Sequence, residues 1–187
     1  MSAKTNHKRR THRHWRPRIF DISAQEREWL TDKGSLTYRI QSRCSNFSLR
    51  RVSQGLAKIA ADETRTLHLA QHQHAIARDI FLCCDDTPVI FAHTVLARES
   101  LRSTWQSLTT LGNRPLGTRL FSDPRIERFP LYFRKLNRYH SLYRSACKAL
   151  TAPLPKYLWA RRSIFCLHHT SIMVTEVFLP GILALPR

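Results

Sequence analysis

Glycine is scarce in this chain, with five residues in 187, and methionine is rarer still at two. So few, scattered glycines form no phosphate-cradling loop, which argues against nucleotide-binding motifs of the P-loop or dinucleotide type. No apolar run approaches the roughly 18 residues that a membrane-spanning helix needs. The most apolar stretch, near the C-terminus, is broken by Glu176 and Pro180 and reads as a buried strand. The five cysteines (Cys44, Cys83, Cys84, Cys147 and Cys166) contain no CxxC pair. Cys83 and Cys84 are adjacent and would project to opposite faces of a strand. This usage fits a reduced, cytoplasmic protein whose cysteines act as small core hydrophobes. The serines lack the context of a nucleophile elbow, so a hydrolase triad is unsupported.

Acids are few as well, 13 against 31 lysines and arginines, for a formal charge of +18. The imbalance is steepest over residues 1–18, which carry seven basic side chains, three histidines and no acid. A basic, hydrophobe-poor leader of this kind reads as a disordered arm over residues 1–20, able to touch anionic surfaces. It has no apolar core like that of a signal peptide. No RNA- or DNA-recognition motif follows it, so no specific nucleic-acid partner is expected. Residues 21–187 then form one domain, read as a monomer.

Turn and capping signals divide that domain into short elements. Ser23-Ala24-Gln25-Glu26 is a capping box that opens a helix through Trp29 and Leu30. After Gly34, Ser35-Leu36-Thr37 opens a second helix to about Gln41. Asn46–Val52 alternates as a strand. Residues 64–75 are polar and read as a loop with one helical turn. Ala77–Cys84 and Val89–Leu96 form a hairpin about Asp85-Asp86-Thr87-Pro88. Leu101, Trp105, Leu108 and Leu111 fall at helical spacing up to Gly112. Arg125–Phe133 reads as a strand, residues 139–150 as an amphipathic helix, and Ser163–His168 with Ile172–Phe178 as a closing hairpin. About six strands with several helices, and no βαβ alternation, indicate an α+β domain on one antiparallel sheet.

Three places could carry chemistry. His68 and His72 are four apart, with His74 nearby, but no carboxylate or cysteine supports them at metal-ligand spacing. Solvated histidines are the better reading, and no metal or cofactor is expected. Arg78 lies in an apolar strand, where it is either a surface residue or an inward fork for a ligand carboxylate. Glu176 shares one strand face with Ile172, Val174 and Phe178, opposite Met173, Thr175, Val177 and Leu179. Burying it requires a partner, and Arg161 or Arg162 could pair with it structurally. Spacing alone leaves a structural and a functional carboxylate equally open.

Several segments in order resemble one family. Trp29-Leu30-Thr31-Asp32-Lys33-Gly34-Ser35-Leu36-Thr37, Arg78-Asp79-Ile80-Phe81-Leu82-Cys83 and Phe91-Ala92-His93-Thr94-Val95 resemble three blocks of the chorismate pyruvate-lyases. Leu111-Gly112-Asn113-Arg114-Pro115-Leu116-Gly117, Leu158–Ser163 and Thr175–Pro180 resemble three more, so the likeness spans residues 29–180. The resemblance implies a cytoplasmic enzyme of ubiquinone biosynthesis that converts chorismate to 4-hydroxybenzoate and pyruvate. It also implies a six-stranded antiparallel sheet with helices on one face and helical flaps over an internal site. By motif, Arg78 and the backbone at Leu36 and Leu116 would hold the ring carboxylate, and Glu176 the 4-hydroxyl. His93 stands where the family usually has arginine, near the glutamate and the enolpyruvyl group. An aromatic-acid sensor domain of the same fold, or a weak lyase that mainly binds product, is the alternative.

Overall fold

The computed structural model describes residues 14–102, 104–106 and 115–186. Ser23 caps helix α1 (Ala24–Thr31): its hydroxyl accepts from the Glu26 amide while the Glu26 carboxylate accepts from the Ser23 amide. Two otherwise unpaired donors are thereby satisfied, and Trp29 and Leu30 turn inward. Ser35 caps α2 (Leu36–Gln41), which buries Leu36, Thr37 and Ile40. The remaining helices are α3 (Ala61–Thr66), α4 (Leu116–Ser122) and α5 (Ser141–Cys147). The strands are β1 (Phe47–Ala57), β2 (Ala75–Cys84), β3 (Thr87–Leu96), β4 (Glu127–Arg128), β5 (Tyr132–Leu136), β6 (Leu158–Leu167) and β7 (Thr170–Phe178).

All seven join one antiparallel sheet in the order β1-β2-β3-β7-β6-β4, with β5 also pairing along β6. Two hairpins are closed by residue pairs in the left-handed region, Asp85-Asp86 and His168-His169. That is the geometry a tight two-residue turn requires if it is to match the twist of its strands. The count is seven rather than the expected six because the strand expected over Arg125–Phe133 is interrupted. Proline at position 130 has no amide hydrogen to give the ladder. Strand β4 therefore pairs with Phe165 and Cys166, and β5 resumes against Leu158 to Arg162.

Side-chain alternation gives the sheet two unlike faces. On the front, Ile80, Leu82, Ile90, Ala92 and Phe178 pack beneath Trp29, Leu30, Leu36 and Ile40. On the back, Phe81, Phe91, Val177 and Leu179 pack against Leu142, Tyr143 and Ala146 of α5. Helices thus cover both faces, where one covered face was expected.

Three further expectations change, and the loop placement of the histidines is defined. Trp15 and Ile19 are core residues, 3% and 7% exposed. Arg16 exchanges two backbone hydrogen bonds with Phe133, at 2.9 and 2.8 Å. The segment from residue 14 onward therefore packs into the domain. Cys44 and Cys84 form a disulfide, so they are not free core thiols; Cys83, Cys147 and Cys166 are free. His68 and His72 sit in left-handed turn conformations beyond α3 and share no helix face. The helix expected over Leu101–Leu111 gives a short 3-10 turn at Glu99–Arg102, and Leu108, Leu111 and Gly112 lie outside the described residues.

Candidate active site

A covered cavity lies on the front face of the sheet. Its floor is built from alternate residues of five strands: Arg78, Ile80 and Leu82 of β2; Ala92 and Thr94 of β3; Val174 and Glu176 of β7; Arg161, Ser163 and Phe165 of β6; and Arg128 of β4. Its cover is formed by Leu36 and Thr37 of α2 with Pro115, Leu116, Gly117, Leu120 and Phe121 at α4. Gly117 is where the two covering helices meet. A Cβ there would stand 3.1 Å from Thr37 Oγ1 and 3.3 Å from Ser35 Oγ, so only glycine permits this approach without displacement.

Ladder register relates the two residues singled out in the sequence. Arg78 is level with Thr94, which is level with Val174, while Glu176 is level with Ala92. Glu176 is therefore two strands and two residues away from Arg78, roughly 10 Å across the sheet and 7 Å along it. Side chains reaching inward from such points can hold the two ends of one aromatic ring. Arg78 is 4% exposed, and burial together with nearby Arg51 lowers its pKa without threatening its charge. Leu36 and Leu116 are the first residues of their helices, where backbone N–H groups have no intrahelical acceptor.

Glu176 is also paired structurally. Arg161 Nε donates to its Oε2 at 2.5 Å, and Arg161 Nη1 donates to the Asp32 carbonyl at 2.7 Å. Arg161 is 1% exposed, whereas the Glu176 side chain is 15% exposed and opens into the cavity. The structural and functional readings of Glu176 are therefore compatible. Its ion pair holds the carboxylate in place and leaves it facing the ligand space.

His93 lies elsewhere. It alternates with Ala92 and Thr94, so its imidazole projects from the back of the sheet. There Nδ1 is 2.6 Å from Asp79 Oδ1, and Nε2 lies 3.3 Å from Glu63 Oε1 as an ion-pair contact rather than a directed hydrogen bond. Arg162, 1% exposed, completes this group. It donates to Asp62 at 2.9 Å and Thr175 at 3.2 Å, lies 3.7 Å from Glu63, and stacks 4.0 Å above the Trp15 ring. Burial alone would raise Glu63 and Asp62, but His93 and Arg162 outweigh it and hold both carboxyls low.

Burial would also discharge His93, yet Asp79 and Glu63 raise its pKa from 6.5 to about 9. A pKa raised by folding adds stability that is complete below about pH 6.5 and is lost as pH rises through about 9. Between those values wild-type protein should lose roughly 2–3 kcal/mol of unfolding free energy. The variant His93→Gln should be less stable at pH 6 and show a flatter profile, as read by urea denaturation. Parallel profiles for the two proteins would contradict the charged-histidine assignment.

A family model described as "Chorismate lyase" matches residues 14–184. The chain belongs to the chorismate lyase family. It is 49% identical over 172 residues to a protein of Nitrosospira multiformis named "Probable chorismate pyruvate-lyase", covering 91% of this chain and 95% of that one. A protein of the same name from Nitrosomonas europaea is 45% identical over 168 residues, covering 90% and 94%. Among solved structures, the PhnF C-terminal domain aligns with a TM-score of 0.56 at 11% identity, covering 72% of this chain and 84% of that one. A GntR-family transcriptional regulator from Bacillus cereus gives 0.54 at 9% identity, covering 73% and 94%. Those two likenesses concern the fold alone.

Within this family fold the structure brings Arg78, Leu36, Leu116 and Glu176 to one cavity and leaves His93 behind the sheet. Sequence reasoning missed Arg128, which sits in a two-residue strand with no apolar pattern to mark it. It also missed Asp62 and Glu63, on a helix within a polar stretch. The Ala60-to-Glu63 backbone cap was the one available signal for that helix.

Proposed function

We propose that this chain is a cytoplasmic lyase that eliminates pyruvate from chorismate and releases 4-hydroxybenzoate for ubiquinone biosynthesis. Family membership supports the reaction. The observation that carries the site is that Arg78 and Glu176 face one covered cavity from two strands apart. Arg78 takes the ring carboxylate in a bidentate pair, assisted by the N–H groups of Leu36 and Leu116. Glu176 accepts a hydrogen bond from the 4-hydroxyl. In the reaction the C4–H bond breaks and its electron pair forms the third ring double bond. The C3–O bond breaks in concert, and the proton lost from C4 is balanced by the one the departing enolate takes on carbon to become pyruvate.

The gain of aromaticity drives this elimination, so the protein has mainly to orient and to stabilise. Holding both ends of the ring fixes the C4–H and C3–O bonds relative to one another. Cationic side chains stabilise the charge that develops on the leaving oxygen. The helices α2 and α4 keep bulk water away while this happens. His93 takes no part in contacting substrate, because its imidazole projects from the opposite side of the sheet.

The direct test is to incubate purified protein with chorismate and follow both products. Equimolar 4-hydroxybenzoate and pyruvate are expected. Tight binding of 4-hydroxybenzoate without turnover would replace the enzyme by a sensor of aromatic acids.

A further inference from the structure

Arg128 is a cavity residue without an assigned task. Its guanidinium lies against two aromatic rings, 5.0 Å from the Phe121 centroid and 5.3 Å from that of Phe165. Nη2 donates to Ser163 Oγ at 2.9 Å, and Nη1 donates to the Lys33 carbonyl just before α2. Its Nε is buried with no hydrogen-bond partner among the described residues. No carboxylate lies within ion-pair distance of it among those residues, although Arg161 beside it has Glu176. A buried donor left in this way is costly unless a ligand meets it.

The charges of the cavity give the ligand its character. Three guanidiniums (Arg78, Arg128 and Arg161) and one carboxylate, Glu176, line the cavity. Arg161 is occupied by Glu176, whereas Arg128 has no ion-pair partner among the described residues. The strand order places Arg78 on β2, two strands to one side of Glu176, and Arg128 on β4, two strands to the other. A dianion with its acid groups at opposite ends and its reacting bonds between them matches this arrangement.

Chorismate is such a dianion, bearing one carboxylate on the ring and a second on the enolpyruvyl ether. We infer that Arg128 binds the enolpyruvyl carboxylate and so distinguishes the substrate from the monocarboxylate product. This assignment rests on the lyase reading above. It gives the chain a substrate-selecting residue: once pyruvate has departed, the ring acid keeps its contacts with Arg78 and Glu176 but has no group left for Arg128. The same guanidinium ties the segment before α2 to β4 through Lys33, so the second carboxylate would also draw on a residue that anchors the cover.

The experiment compares wild-type protein with Arg128→Met and Arg128→Lys, using three ligands. Chorismate is read by kinetics, and 4-hydroxybenzoate and the enolpyruvyl ether of meta-hydroxybenzoate are read by calorimetric binding. Arg128→Met should lower kcat/KM for chorismate about 100-fold, chiefly through KM, and weaken the dicarboxylate ether to a similar degree. Binding of 4-hydroxybenzoate should change by less than about threefold, since the contact it loses was never made. Arg128→Lys retains a point charge without the planar fork and should recover part of the loss. An unchanged chorismate KM in Arg128→Met would overturn the inference. Equal weakening of all three ligands would overturn it too, assigning Arg128 to anchoring the cover alone. Failure of wild-type protein to turn over chorismate would strike the lyase reading itself, and is seen before any variant is made.

Discussion

Glu176→Gln should lower kcat for chorismate by at least about 100-fold, the scale expected when a positioned carboxylate is lost from a reacting centre. KM should not rise in step. Removing the negative charge leaves the cavity more cationic, which favours a dianionic substrate in the ground state. A fall confined to kcat is the signature of a contact that matters in the transition state. The choice of glutamine is dictated by Arg161, which is 1% exposed and paired with this carboxylate. Glutamine keeps an oxygen for Arg161 Nε to donate to, whereas alanine would leave a buried guanidinium without its partner. Breaking a buried pair from one side costs about 3–5 kcal/mol, so Glu176→Ala should lose stability as well as turnover. Steady-state kinetics alongside thermal denaturation separates the two effects. Activity within tenfold of wild type in Glu176→Gln would remove Glu176 from the reaction.

Trp15→Ala should destabilise the protein by about 3–5 kcal/mol, the usual range for truncating a buried tryptophan. Trp15 is 3% exposed, its Nε1 donates to Asp62 at 3.1 Å, and its ring covers Arg162. Alanine would open a cavity and admit water to the buried charges behind the sheet. Removing residues 1–12 should instead leave the melting temperature and turnover unchanged, whereas removing residues 1–18 should reproduce or exceed the loss caused by Trp15→Ala. This differs from the expectation raised by composition alone, which places residues 1–20 in a disordered arm outside the domain. Equal stability of the two truncated proteins would show that Trp15 contributes nothing to the domain.

The two poles of the cavity were legible in the sequence because each is an ionisable residue within an apolar strand. Alternation alone correctly grouped Val174 with Glu176 and set Thr175 on the other face. The assignment of His93 failed at the next step, where one needs to know how neighbouring strands are aligned. Arg78 is level with Thr94 and Asp79 with His93, and only that register reveals that His93 and Arg78 face opposite ways. Trp15 was hidden by the basic residues around it, since composition averages over the one aromatic side chain that docks. The partnership of Cys44 and Cys84 spans 40 residues and has no local spacing pattern to announce it. Arg128 was obscured by Pro130, which shortens its strand until no periodicity remains.

On four strands, residues of the cavity stand directly beside residues of the charged group behind the sheet: Arg78 next to Asp79, Ala92 and Thr94 around His93, Arg161 next to Arg162, and Glu176 next to Thr175. A slip of one residue in any of these strands would exchange the two sets. In β6 it would thrust Arg162 into the ligand space and strand Arg161 behind the sheet, away from Glu176. Most sheets are held in alignment by oil meeting oil, and a misaligned strand can still find apolar company. In β2 and β6 a misaligned strand would confront the wrong charge on both sides at once, so residues that line the cavity also proofread the folding of the sheet that carries them.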